Sequence, residues 1–290
     1  MQRSGKLTRK QLNLPDRIMK PNQNRTLWFF LLLSFLISWA IWVPVVLTGR
    51  DYQSSPYLLA GALIGAFGPG LAAIIITFLS RDIEQINDLR KRIYDFRRIR
   101  PAWILIILAL WPALHGISIL ITNFIGDPIP ESSFLQEILQ NPNTIPLVIF
   151  LYFIQAGVEE LGWRGYLQEK LGRIMGPSRS SLVVGLIHTI WHLPLFWMVG
   201  TNQIKMGFGF DFLLFIAFVI SSSVISAWCY YGNRHSILAV TLLHTTSNLS
   251  FDIFAYAPGT LKHLINNLLM VVVALLLLVY FQSNARKQTT

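Results

Sequence analysis

Between residues 26 and 281 the chain returns repeatedly to runs of about 20 residues with hardly a charge in them. Hydrocarbon offers no water to a backbone N–H or C=O. A run of that length therefore crosses a bilayer only with its hydrogen bonds closed internally, as a helix. Eight such stretches can be drawn, at 26–48, 57–80, 102–123, 145–168, 180–199, 210–230, 236–256 and 263–281. Composition agrees. The 290 residues are 53% hydrophobic and only 13% charged, against about 25% charged in an ordinary soluble domain. The expected fold is an all-α polytopic membrane protein, with about eight transmembrane helices enclosing a cytoplasm-facing polar cavity. Its expected parts are a basic cytoplasmic tail at 1–25, a single transmembrane domain at 26–281 with its core region at 145–256, and a cytoplasmic tail at 282–290.

The net charge of +10 could suggest nucleic acid in a soluble chain. Here the basic residues flank apolar stretches, as the positive-inside rule expects, and no basic-and-aromatic motif for nucleic acid is present. With eight crossings, 21 of the 24 lysines and arginines fall on one face, and only Arg50, Lys205 and Lys262 fall on the other. Both termini are therefore expected in the cytoplasm, in a bacterial plasma membrane. The first stretch is too long for a signal-peptide core and reads as an uncleaved anchor. Cys229 is the sole cysteine, which excludes an intramolecular disulfide and fits a small packing residue.

Two segments carry local signals. Gly65-Ala66-Phe67-Gly68-Pro69-Gly70 suits a kink and close helix contact. Between Arg81 and Arg100, Ile83, Ile86, Leu89, Ile93 and Phe96 recur at helical spacing among charges. An interfacial helix on anionic lipid and an ordinary solvated helix fit that pattern equally.

Ionisable side chains inside membrane helices are rare and usually functional. Here they gather in three places. Glu159-Glu160-Leu161-Gly162-Trp163-Arg164 ends the fourth stretch. Glu160 and Arg164 share a helix face, while Glu159 is rotated about 100° away and is free of the arginine. A helix-end salt-bridge cluster is the plainer alternative. His188 and His192 share a face on the fifth stretch, just before Pro194. They could hold zinc or serve as polar contacts between helices, although the HExxH zinc motif is absent. His244 and Asn248 share a face on the seventh stretch. Both can donate hydrogen bonds to a developing oxyanion, or can form part of a polar packing seam with Thr241, Thr245 and Ser247.

Taken in order, EExxxR at Glu159-Glu160…Arg164, then His188…His192, then HxxxN at His244…Asn248 resemble the CPBP family, the CAAX protease and bacteriocin-processing (Abi) group of intramembrane proteases. Trp191-His192-Leu193-Pro194-Leu195 also resembles bacterial members. The family's FxxxH carries His188 in place of its phenylalanine, which adds a polar group to the site wall. The resemblance covers mainly 145–255. It implies peptide-bond hydrolysis by a glutamate-activated water, without an essential metal. Its archetype, the type II CAAX prenyl endopeptidase, removes three residues after a prenylated cysteine. Carried over, Glu159 is the general base, and His192 positions the water and passes a proton to the leaving amine. His244 and Asn248 form the oxyanion hole, and Glu160 and Arg164 brace the site. The expected partners are a membrane-associated peptide or protein substrate and the lipid bilayer. Three alternatives remain: a zinc enzyme using Glu159 with His188, His192 or His244; a non-catalytic immunity or scaffold protein; and, more weakly, a transporter.

Overall fold

A computed structural model describes residues 21–127, 131–254 and 257–287. The tail expected at 1–25 thus lies outside the described residues up to position 20, and the tail at 282–290 does so from 288. Among the described residues there is no strand. The twelve α-helices are α1 (Pro21–Leu47), α2 (Pro56–Gly65), α3 (Gly68–Leu79), α4 (Ile83–Tyr94), α5 (Pro101–Phe124), α6 (Ser133–Gln140), α7 (Ile145–Gly162), α8 (Glu169–Trp191), α9 (Asn202–Met206), α10 (Phe210–Gly232), α11 (Ile237–Ile253) and α12 (Leu261–Lys287). The fold is all-α, and its long helices wear apolar side chains outward. Trp28, Leu105, Leu120 and Leu276 are each more than 60% exposed. Such a surface is stable against lipid and not against water. Inside sit Trp42, Trp111, Trp163 and Trp191, all nearly inaccessible.

By length and apolarity five helical runs can cross a membrane, or six if α2 and α3 form one bent span. The bend is 51° and falls in the expected small-residue segment. One of the five is a 56-residue helical run, 142–197. Straight, it would extend about 84 Å, far more than the roughly 30 Å of hydrocarbon. It is not straight. Gly176 breaks it with φ 77° and ψ 170°, just before Pro177. Gln168 Nε2 then donates to Ser180 Oγ at 2.6 Å, and His188 comes back to meet Glu159. The run is two antiparallel legs. Helix α11, with 17 residues, sits at the short limit for a crossing. Eight crossings as a number is not decided by length and composition.

Close packing of α3 on α7 places the carboxylates. A Cβ on Gly162 would stand 2.5 Å from the Pro69 carbonyl carbon and 2.6 Å from its oxygen, and one on Gly70 would strike the Val158 carbonyl. Only glycine lets these backbones approach so nearly.

Helix α4 is neither of its two expected forms entirely. Asp82 caps it, accepting from the Glu84 and Gln85 N–H groups. Those bonds, Gln85's first, hold the Asp82 carboxyl below its ordinary pKa. Ile86 and Leu89 are buried against the bundle, while Ile83 and Phe96 stay exposed. Arg92 reaches inward, donating to the Gly165 carbonyl (2.9 Å) and to Tyr230 Oη (2.7 Å). Burial opposes its charge, but Tyr230, Glu169 and Asp88 outweigh burial and raise its pKa.

Candidate active site

Glu159 and Glu160 lie in the last turn of α7 and are 4% and 1% exposed. The chain does not stop there. It continues as a π-helical segment, Trp163–Gln168, and then as α8. A π-segment has a wider turn and recurs at functional sites. Every residue from Leu161 to Glu169 is buried, so both carboxylates sit inside the protein rather than at an interface.

The two carboxylates have different partners. Glu160 takes Arg164 as expected: Arg164 Nε stands 3.2 Å from Oε2, a contact too bent for a straight hydrogen bond, and Nη1 is 3.4 Å from Oε1. Its third contact comes from α11, where His244 Nδ1 lies 2.9 Å from Oε1. A buried carboxylate needs such compensation to be tolerated. Glu159 has no arginine. Its Oε2 lies 3.2 Å from His188 Nε2. The residue that replaces the family phenylalanine is therefore the direct partner of the available carboxylate.

His192 follows one turn on, at the end of α8. Its Nδ1 is 2.9 Å from the His188 carbonyl oxygen. A carbonyl only accepts, so this bond puts the proton on Nδ1 and leaves Nε2 as an acceptor. Trp163 packs on the His188 ring at a centroid distance of 4.9 Å. Asn248 stands one turn beyond His244 on α11.

Glu159, Glu160, Arg164, His188, His192, His244 and Asn248 all line one cavity of about 740 Å³. Three helices bring them there from separations of 29 residues (Glu159 to His188) and 84 residues (Glu160 to His244). One oxygen of Glu159 and one ring nitrogen from each of His188 and His192 lie within 4.8 Å of one another. Two histidines and a carboxylate are a donor set that suits zinc, and the bond from His192 Nδ1 to a carbonyl resembles the outer hydrogen bond of a metal-ligating histidine. His244 lies outside this trio, engaged with Glu160.

Some lining residues carried no signal in the motifs. Tyr152 and Gln155 share the Glu159 face of α7, at seven and four residues before it, and both line the cavity. That periodicity was readable. Tyr152 Oη hydrogen-bonds Asp252 Oδ2, a pairing 100 residues long that no local pattern encodes. The cavity walls also include Trp42, Trp111, Trp191, Phe215 and Phe251.

The cavity lining also takes in Tyr52, Gln53, Ser133, Thr201, Gln203 and Lys205 from the links between helices. None of its lining comes from the basic links at 80–100, 168–180 or 232–236.

Residues 141–250 match the family described as Type II CAAX prenyl endopeptidase Rce1-like. Over 255 residues the chain is 26% identical to CAAX prenyl protease 2 of Methanococcus maripaludis, covering 86% of this chain and 92% of that one. It is 25% identical over 170 residues to Lysostaphin resistance protein A of Staphylococcus haemolyticus, covering 58% of this chain and 45% of that one. The resemblance read from the motifs stands, and the matched region contains every residue of the candidate site. Similarity to an Rce1-like family, on a chain of long apolar helices, supports an endopeptidase integral to the membrane.

Proposed function

We propose that this protein hydrolyses a peptide bond of a membrane-associated substrate with a water activated by Glu159. The observation that carries the reading is the division of labour between adjacent carboxylates. Glu160 is held by Arg164 and His244, whereas Glu159 faces the cavity with only a histidine against it.

Amide hydrolysis needs a base, an acid and a site for a tetrahedral oxyanion. Glu159 takes a proton from water as its oxygen attacks the carbonyl carbon. His188 orients the carboxylate, and the acceptor Nε2 of His192 positions the water. The proton then passes to the departing amine as the C–N bond breaks. His244 is held through Nδ1–H by the Glu160 carboxylate; as the imidazolium it keeps a second donor at Nε2–H, and Asn248, which also lines the cavity, adds an amide donor. These two form the oxyanion hole, while Glu160 and Arg164 hold His244 in place.

The test compares the wild type with Glu159→Gln, purified and returned to liposomes. The probes are a farnesylated CAAX peptide and unprenylated peptides derived from membrane-protein segments, with products read by mass spectrometry. Cleavage by the wild type and its loss in the variant are expected. Undiminished cleavage by Glu159→Gln refutes the mechanism.

A second reading rests on the trio of Glu159, His188 and His192. These residues fit zinc, which would supply Lewis-acid polarisation and an acidic bound water. One tightly held zinc in active protein would favour it. A third reading, a non-catalytic resistance or scaffold role, draws on the name of the staphylococcal relative. A resistance phenotype that survives Glu159→Gln would favour it.

A further inference from the structure

We infer that Asp252, held by Tyr152, is a subsite for a cationic group of the substrate: a lysine or arginine side chain about two to four residues from the bond that is cut. The inference deepens the protease reading and rests on it for the word substrate. Its binding part stands alone.

Three carboxylates line the cavity, those of Glu159, Glu160 and Asp252. Two of them have basic partners from the protein. Glu160 has Arg164 and His244, and Glu159 has His188. Among the described residues no lysine, arginine or histidine pairs with Asp252. Its carboxylate accepts from one side chain, the Tyr152 hydroxyl, through Oδ2. An ionised carboxylate accepts through both oxygens, so Oδ1 is left for a donor from outside. A carboxylate withdrawn from water is costly without a counter-charge. A cation that arrives with the substrate therefore meets an acceptor already in place, and an acidic group meets repulsion.

The pairing of α7 with α11 sets where this acceptor stands. Glu160 meets His244 at one end of the pair, and Tyr152 meets Asp252 at the other. Between these two bonds both helices advance by the same number of residues in opposite senses, which is antiparallel register. His244, Asn248 and Asp252 recur at one-turn intervals on one face of α11, and all three line the cavity. The rise to Asp252 is about 6 Å from Asn248 and about 12 Å from His244. An extended peptide advances about 3.3 Å per residue. A carbonyl held by the two oxyanion donors thus lies about two to four residues from the group that Asp252 binds.

The surroundings suit a long basic side chain. Ser132 Oγ donates to the Asp252 carbonyl at 2.9 Å and caps α6, which places the start of α6 beside Asp252. Phe134, in the first turn of that helix, lines the cavity, and so does Phe251. Apolar rings cover the methylene stem of lysine or arginine while the charged head reaches a carboxylate.

The test measures binding without cleavage. Glu159→Gln protein in nanodiscs of neutral phosphatidylcholine is titrated with fluorescent peptides of one apolar sequence, in which lysine, norleucine or glutamate replaces each position in turn. Fluorescence anisotropy reads the affinity. At one or more positions lysine is expected to bind more tightly than norleucine by about tenfold or more, the scale of a hydrogen bond to a charged group. Glutamate should bind more weakly than norleucine. Adding Asp252→Asn, which keeps an acceptor for Tyr152 and removes the charge, should abolish the lysine preference and leave norleucine binding unchanged. Adding Asp252→Glu should retain the preference. No lysine preference at any position, or one that persists with Asp252→Asn, overturns the proposal. Equal weakening of every peptide by Asp252→Asn overturns it too, because it marks a purely structural role. Failure of the base reading shows elsewhere, as undiminished cleavage by Glu159→Gln, so the two failures are distinguishable.

Discussion

Replacing Glu160 and Glu159 in turn by alanine should separate stability from chemistry. Both carboxylates are nearly inaccessible, but they compensate different partners. Removing Glu160 strips Arg164, whose side chain is 2% exposed, of its counter-charge, and strips His244 Nδ1 of its acceptor. Leaving one member of a buried ion pair costs about 3–5 kcal/mol. Removing Glu159 forfeits a single contact to His188, worth about 1 kcal/mol. For a chain of this size 1 kcal/mol moves the melting temperature by about 2–4 °C. Glu160→Ala should therefore lose about 6–20 °C, and Glu159→Ala only a few. Cys229 supplies the assay, because its buried thiol reacts with a thiol-sensitive dye only as the detergent-solubilised protein unfolds. Both variants should lose cleavage. The double variant Glu160→Ala/Arg164→Met should recover most of the lost stability, since an apolar replacement of a buried pair is commonly neutral, without recovering activity. Equal melting temperatures for the two single variants would refute the division of roles.

Other outcomes follow from the same geometry. Gly162→Ala should cost about 1–3 kcal/mol by overpacking against Pro69, and the displacement of α7 should lower cleavage as well; the dye melt and the peptide assay read each effect. Asn248→Ala should lower kcat by about 10²–10³-fold with little change in KM if its amide stabilises the oxyanion. Arg92→Ala should destabilise the π-segment by removing the donor to the Gly165 carbonyl, and Arg92→Lys should rescue it poorly because one ammonium cannot serve both the Nη1 acceptors, Gly165 and Tyr230, and Asp88, which stands 2.9 Å from Nε. Chelator treatment followed by dialysis should leave cleavage intact and the purified protein free of stoichiometric metal. Loss of activity restored by zinc would replace the water-only mechanism with the trio of Glu159, His188 and His192.

Much of this protein is written in local patterns. Apolar runs dictate membrane helices because an unsatisfied peptide group in hydrocarbon costs several kcal/mol. The EExxxR, His…His and HxxxN spacings each place side chains on one helix face, since four residues make about one turn. The Arg164–Glu160 pair is local in this sense, and so is the small-residue kink between α2 and α3.

What the tertiary structure alone decided is which group meets which across helices. His188 departs from the family phenylalanine in the sequence, yet nothing near it in the chain says that its ring nitrogen faces Glu159. His244 has the look of an oxyanion donor, and only the packing of α11 on α7 turns its other nitrogen to Glu160. Periodicity fixes the face of a helix, whereas a shared cavity depends on how helices 29 to 100 residues apart pack against one another.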